Sequence, residues 1–257
     1  MVSLQGKTTL QGRLRNHALR IFWFVSIAAF AMPAHCPAQT LPAVAIDVGH
    51  SNKHPGAMSA RGVPEFEFNA ALAKVIRDTL SSRGTRVVPI AEDGTVADLR
   101  ARAVAASDGG ATFLLSIHHD SAQPQYFQRW GWQGVERGYA DQFSGFSLFV
   151  SRKNPQLEDS LRCASTIGAA LEQQGFHPSP HHAESVPGES REWANQDNGV
   201  YYYDDLIVLK TAAMPAVLLE AGVIVNRHEE QVIQEPATRR AISAAVERGL
   251  IDCGAIE

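Results

Sequence analysis

An α/β fold with a twisted, mostly parallel sheet of about six strands and helices on both faces is what this sequence predicts. Three observations carry it. Short β-branched runs alternate with amphipathic helical stretches from Pro42 onward, the pattern of a parallel sheet covered on both sides. The strand runs end at chemistry-bearing residues, Gly49-His50, His118-His119-Asp120 and Glu220-Ala221-Gly222, as expected where strand carboxyl ends meet at one crevice. The chain has 257 residues, 45% hydrophobic and 19% charged, enough for one sizeable core without metal or disulfide staples.

The elements follow in order. Val44 to Val48 is an apolar strand ending at Gly49-His50, followed by a Gly- and Pro-containing loop through Gly62. Phe68, Leu72, Val75, Ile76 and Leu80 recur at helical spacing over about Pro64 to Arg83, and Gly84 stops the helix. Arg86 to Ile90 reads as a second strand, and Thr95, with Asp98 three residues on, as the cap of a helix running to about Asp108. Phe113 to Ile117 is a third strand and Phe146 to Ser151 a fourth; Leu157 to Gln174 is helical and closes at Gly175. Leu206 to Leu209 and Ala216 to Glu220 read as strands, and Pro236 opens a final helix to about Cys253. Two stretches, about Ser121 to Ser144 and His177 to Asp205, are too long for plain connections and read as lids or binding loops. One catalytic domain is expected over residues 42–257, with no internal repeat and no linker to a second domain.

The N-terminus reads differently. Lys7, Arg13, Arg15 and Arg20 precede the apolar run Ile21 to Met32, and no acid occurs through Ala38. A basic region before about 12 apolar residues is a secretory signal rather than a span, which needs about 20. Cleavage is expected near Ala38, making residues 1–38 a signal peptide and the mature protein exported and periplasmic; an uncleaved anchor and a lipidated Cys36 are the weaker readings. Without those four bases, 19 Lys and Arg remain against 27 Asp and Glu, a net −8. No basic cluster is present, which argues against a nucleic-acid partner. Of three cysteines, Cys163 and Cys253 stay in the mature chain, where a disulfide and two buried thiols are both open readings.

His50 and His118 are two imidazoles that topology would bring together, and a carboxylate added to two imidazoles makes a catalytic zinc ligand set. Glu65 and Glu67 both sit where the loop after His50 becomes a helix. Residues two apart on a helix point in different directions, so only one reaches the metal, and the residues alone leave the choice open.

The motifs Ile46-Asp47-Val48-Gly49-His50, Glu65-Phe66-Glu67-Phe68-Asn69, Ser116-Ile117-His118 and Met214-Pro215-Ala216-Val217-Leu218-Leu219-Glu220-Ala221-Gly222 occur in this order. Over about Val44 to the C-terminus the chain resembles the zinc-dependent N-acetylmuramoyl-L-alanine amidases of the cell wall. The resemblance implies one Zn2+ ion held by His50, Glu65 and His118 at the strand C-terminal ends, with Asn69 selecting Glu65 over Glu67. It implies Glu220 as the catalytic acid/base. The substrate implied is peptidoglycan, cut between N-acetylmuramic acid and L-alanine. The sequence departs from the family pattern at Ser51, at His119-Asp120 and over Val223 to Asn226, positions expected on the pocket rim.

Other residues have narrower expectations. His119 alternates to the other strand face and reads as a hydrogen-bonding or rim residue. Asp47 is either an orienting partner of a ligand imidazole or a core hydrogen-bonding group. His181, His182, Glu184 and Glu189 are expected in a solvated loop, with substrate contact or occlusion as the sharper reading. Tyr126, Phe127, Trp130 and Trp132 either stack on sugars or pack their own loop, and His54 and His228 are expected at the surface. Three alternatives remain beside the amidase: a zinc peptidase cutting within stem peptides, a non-catalytic wall-binding protein, and an enzyme silenced by its loop until a protein activator binds.

Overall fold

The computed structural model describes residues 42–257; the expected signal segment lies outside the described residues. Its main sheet has seven strands among these residues: β1 (Ala43–Val48), β2 (Arg86–Ile90), β3 (Phe113–Asp120), β6 (Ser147–Val150), β7 (Trp193–Asn195), β8 (Val200–Tyr202) and β9 (Ala216–Val223). Their order across the sheet is β2-β1-β3-β9-β6-β8-β7. The first four run parallel, β6 is antiparallel to β9, and β7 is antiparallel to β8. A separate hairpin joins β4 (Gln128–Trp132) to β5 (Val135–Tyr139).

The two faces are sorted by the period-2 alternation of the strands. Val44, Ile46 and Val48, with Leu115, Ile117, Val217 and Leu219, pack in the core shared with α1 (Glu65–Ser82), α3 (Leu157–Gln173) and α6 (Pro236–Asp252), which follows the one-turn α5 (Glu229–Val232). Ala45, Leu114 and Leu218 face the opposite layer, with α2 (Leu99–Asp108) and α4 (Ile207–Thr211). Cys163 on α3 and Cys253 after α6 form a disulfide, resolving the open reading.

Four expectations are corrected. Leu206 to Leu209 is not a strand: Ile207–Thr211 forms α4, with Val208 and Leu209 buried, because a four-residue apolar run carries no period to tell strand from helix. α2 begins at Leu99, capped by Asp98 through the Arg100 N–H, while Thr95 turns to Asp93 instead. The 121–144 stretch holds the β4–β5 hairpin, whose two-residue turn Gln133-Gly134 has both φ angles positive. Within 177–205, β7 and β8 extend the main sheet.

Candidate active site

His50 follows β1 in a left-handed conformation, φ +70°, unusual for a residue with a side chain. Gly49 before it has to be glycine, since an added Cβ would lie 2.3 Å from the His118 ring. Glu65 opens α1, where a carboxylate is favoured by the positive end of the helix. His118 lies near the end of β3.

These three side chains converge. His50 Nε2 is 2.9 Å from Glu65 Oε2, and His118 Nδ1 is 3.1 Å from Glu65 Oε1. Their nitrogen and oxygen atoms all lie within 4.8 Å of one another. A tetrahedral zinc with bonds of about 2.0–2.1 Å sets its donors about 3.3 Å apart, so this spacing fits such an ion. Gly56 keeps the space clear: a Cβ there would lie 2.5 Å from Glu65 Oε2 and 2.8 Å from His50 Nε2. Glu65 is buried while Glu67 is exposed. Burial alone would raise the Glu65 carboxyl, but hydrogen bonds from His118 and His50 and their charge hold it well below the usual range. Asn69 ties the group together: Nδ2 donates to Glu65 Oε1 at 3.1 Å and to the Gly49 carbonyl at 3.2 Å, and Oδ1 is 2.8 Å from His119 Nδ1.

Glu220 is the register partner of His118 on the neighbouring strand β9, about 4.8 Å across the sheet. Its Oε2 is buried without a hydrogen-bond partner. Burial pushes its carboxyl well above the ordinary range, and the Asp120 and Glu65 charges push the same way. A cavity of about 260 Å³ opens beside it, lined also by Asp120, Gln123, His182, Glu189 and Arg191. A carboxyl group with one oxygen buried and unpartnered, beside a ligand-spaced His-Glu-His group, is a combination suited to hydrolysis.

A family model described as N-acetylmuramoyl-L-alanine amidase (Amidase_3) matches residues 44–252. The chain belongs to the N-acetylmuramoyl-L-alanine amidase family. It is 24% identical over 223 residues to the N-acetylmuramoyl-L-alanine amidase AmiA of Escherichia coli K12, covering 81% of this chain and 74% of that protein. It is 24% identical over 254 residues to the probable N-acetylmuramoyl-L-alanine amidase AmiB of Haemophilus influenzae, covering 90% of this chain but only 56% of that one. The CwlD amidase of Clostridioides difficile, solved in complex with the GerS lipoprotein, has the same fold, with a TM-score of 0.63 and 19% identity over 84% of this chain and all of that one.

Other expected residues of the amidase fall in different places. His119 is buried on the α1 side, bonded to Asn69, and its burial lowers it to about 3. Asp47 does not approach an imidazole. It faces the α2 side and pairs with Arg102 Nη1 at 2.9 Å and the Ser116 hydroxyl at 2.7 Å. Arg102 is the functional residue that the sequence reading missed. Fully buried, it also donates to the carbonyls of Val48 and His50 and so holds the backbone that presents His50. The available signal was an arginine among the alanines of α2 and an aspartate within an apolar strand, two groups that each need a partner.

The 177–205 segment is not simply a solvated loop. His181 and His182 are buried, and His182 lies between Asp120, at 2.7 Å, and Glu189, at 2.8 Å. Burial opposes the imidazolium, yet the two carboxylates outweigh it and push His182 up to about 9. Trp130 and Trp132 stack on one another beneath Arg61, Tyr126 packs on Phe143, and His54 and His228 are exposed. No helix among the described residues is long and apolar enough to cross a membrane.

Proposed function

We propose that His50, Glu65 and His118 hold one zinc ion and that Glu220 is the acid/base of an amidase cutting between N-acetylmuramic acid and L-alanine in peptidoglycan. The convergence of two imidazoles and a carboxylate beside the unpartnered Glu220 carries this reading. Zinc, when bound, supplies Lewis-acid polarisation of a carbonyl and lowers the pKa of water toward about 7. Glu65 and the two imidazoles provide the donors, and Asn69 fixes the Glu65 carboxylate. Glu220, once ionised, takes a proton from the attacking water and returns it to the leaving nitrogen as the C–N bond breaks, so one carboxyl group serves both transfers. No covalent intermediate with the chain is required.

Export to the periplasm after loss of residues 1–38 belongs to the same reading, and the Cys163–Cys253 disulfide supports an oxidising compartment. A protein activator is a further element of it. The test is digestion of purified sacculi with the zinc-loaded chain. Free stem peptides with an N-terminal L-alanine are expected. Release of peptides cut within the stem would favour a zinc peptidase instead, and binding without release would favour a wall-binding protein.

A further inference from the structure

We propose that Asp120, His181 and His182 form a second divalent-metal site, of the zinc class, which fastens the 177–205 segment to the end of β3. His182 Nε2 is 2.7 Å and His181 Nε2 is 3.3 Å from the same oxygen, Asp120 Oδ2. The three ligand atoms lie within 4.8 Å of one another, and a tetrahedral zinc requires donors about 3.3 Å apart. Both histidines are less than a tenth exposed.

The surrounding bonds orient all three groups. Asp120 Oδ1 accepts from the Ser121 N–H at 2.7 Å, leaving Oδ2 toward the imidazoles. His181 Nδ1 meets the Ser179 hydroxyl at 2.8 Å, and His182 Nδ1 meets Glu189 at 2.8 Å. Outer contacts of this kind fix the tautomer and aim the free nitrogen of metal-binding histidines. The metal-free arrangement is less complete. A protonated His182 can bridge Asp120 and Glu189, whereas His181 Nε2, although 3.3 Å from Asp120 Oδ2, makes no well-aligned hydrogen bond to it. In the tautomer with His181 Nδ1 donating to Ser179, the Nε2 lone pair faces the Asp120 carboxylate and is free to ligate a cation placed between them; in the other tautomer the Nε2–H points to Asp120. Burying an unmatched polar atom is costly, and three carboxylates, Asp120, Glu189 and Glu220, crowd the same cavity wall.

The consequence is mechanical. Gly188, Glu189 and Arg191 of the fastened segment form one wall of the cavity at Glu220, so the ion would set the shape of that wall. It is independent of the ion proposed at His50, Glu65 and His118.

Crystals of the whole chain grown with saturating zinc, measured at the zinc absorption edge, test the proposal without any substitution. An anomalous peak among Asp120, His181 and His182 is expected, beside a separate one at His50. Absence of a peak at the cluster overturns the proposal whatever is found at His50. In solution, elemental analysis after dialysis should give two zinc ions per chain. One ion should be lost in His181→Ala and in Asp120→Asn, and the other in His118→Ala. A wild-type content of one ion, lost in His118→Ala and unchanged in folded His181→Ala, also refutes it, with folding checked by circular dichroism.

Discussion

Arg102→Met separates what the buried Asp47–Arg102 pair does for stability from what it does for His50. Both side chains are 1% exposed, and the arginine fork reaches Asp47 Oδ1 and the carbonyls of Val48, His50 and Val96. Methionine retains the apolar stem but leaves the Asp47 carboxylate with only the Ser116 hydroxyl. Breaking a buried pair from one side costs about 3–5 kcal/mol, because the remaining charge has no counterpart. Urea unfolding should therefore show a loss of that size. Asp47→Ala with Arg102→Met removes the stranded charge, and the double variant should recover to a loss of about 1–2 kcal/mol.

Zinc retention should behave otherwise. His50 sits at φ +70°, a conformation that persists only where the surroundings hold it. The double variant regains stability but not the donor to the His50 carbonyl. Its zinc affinity, measured by chelator competition, should stay roughly 10–100-fold below wild type, as for other contacts that orient metal ligands. A single-variant loss below about 1 kcal/mol, or additive costs in the double variant, refutes the stability argument. Wild-type zinc affinity in the double variant refutes the positioning argument.

Glu220→Gln keeps the shape of the carboxylate and removes its proton transfer. Its kcat on sacculi should fall by about 10²–10⁴, equivalent to about 3–5 kcal/mol, with zinc content unchanged; a smaller drop would exclude it as the acid/base. Cys163→Ser opens a link between residues 90 apart in sequence and should lower stability by about 2–5 kcal/mol, as should reduction of the wild type; equal urea midpoints with and without reductant would contradict this. Burial pushes Glu229 up to about 7, although N–H groups of Gly145 and Val223 oppose the rise. The folded chain thus holds a proton that the unfolded chain releases near 4.5, so this contribution is complete below that pH and is lost as pH rises through 7. A fall of up to about 3 kcal/mol across that window is expected in urea titrations, and a rise would show the sign to be wrong.

The elements that the sequence makes legible are those long enough to show a period. Phe68, Leu72, Ile76 and Leu80 mark one buried stripe of α1, and the core strands β1, β3 and β9 are apolar runs flanked by glycine or proline. What escapes is short or depends on a partner. The Ile207–Thr211 helix is a single turn and a half whose only apolar residues are Ile207, Val208 and Leu209. The β4–β5 hairpin turns on Gln133-Gly134, a weaker signal than Asn-Gly for the same positive-φ pair. β7 and β8 are three residues each, and their pairing to β6 and to one another, not their composition, makes them strands.

The same distinction governs the site. Period-2 alternation places Ser116 and His118 on one face of β3 and His119 on the other, so the contrast between His118 near Glu220 and His119 against Asn69 follows from strand geometry. Alternation also puts Asp47 on the α2 face with Ser116, away from the α1 core. From that face it reaches Arg102, and its route to His50 runs through the backbone rather than the imidazole ring. Asp120 requires more than parity. The register of β3 against β9 shifts between His118 and Asp120, and its partners lie about 60 residues away in a segment with no regular period. Residues set by one strand's geometry are therefore readable from sequence, whereas those set by packing between a strand end and a long excursion become visible only once the chain is folded.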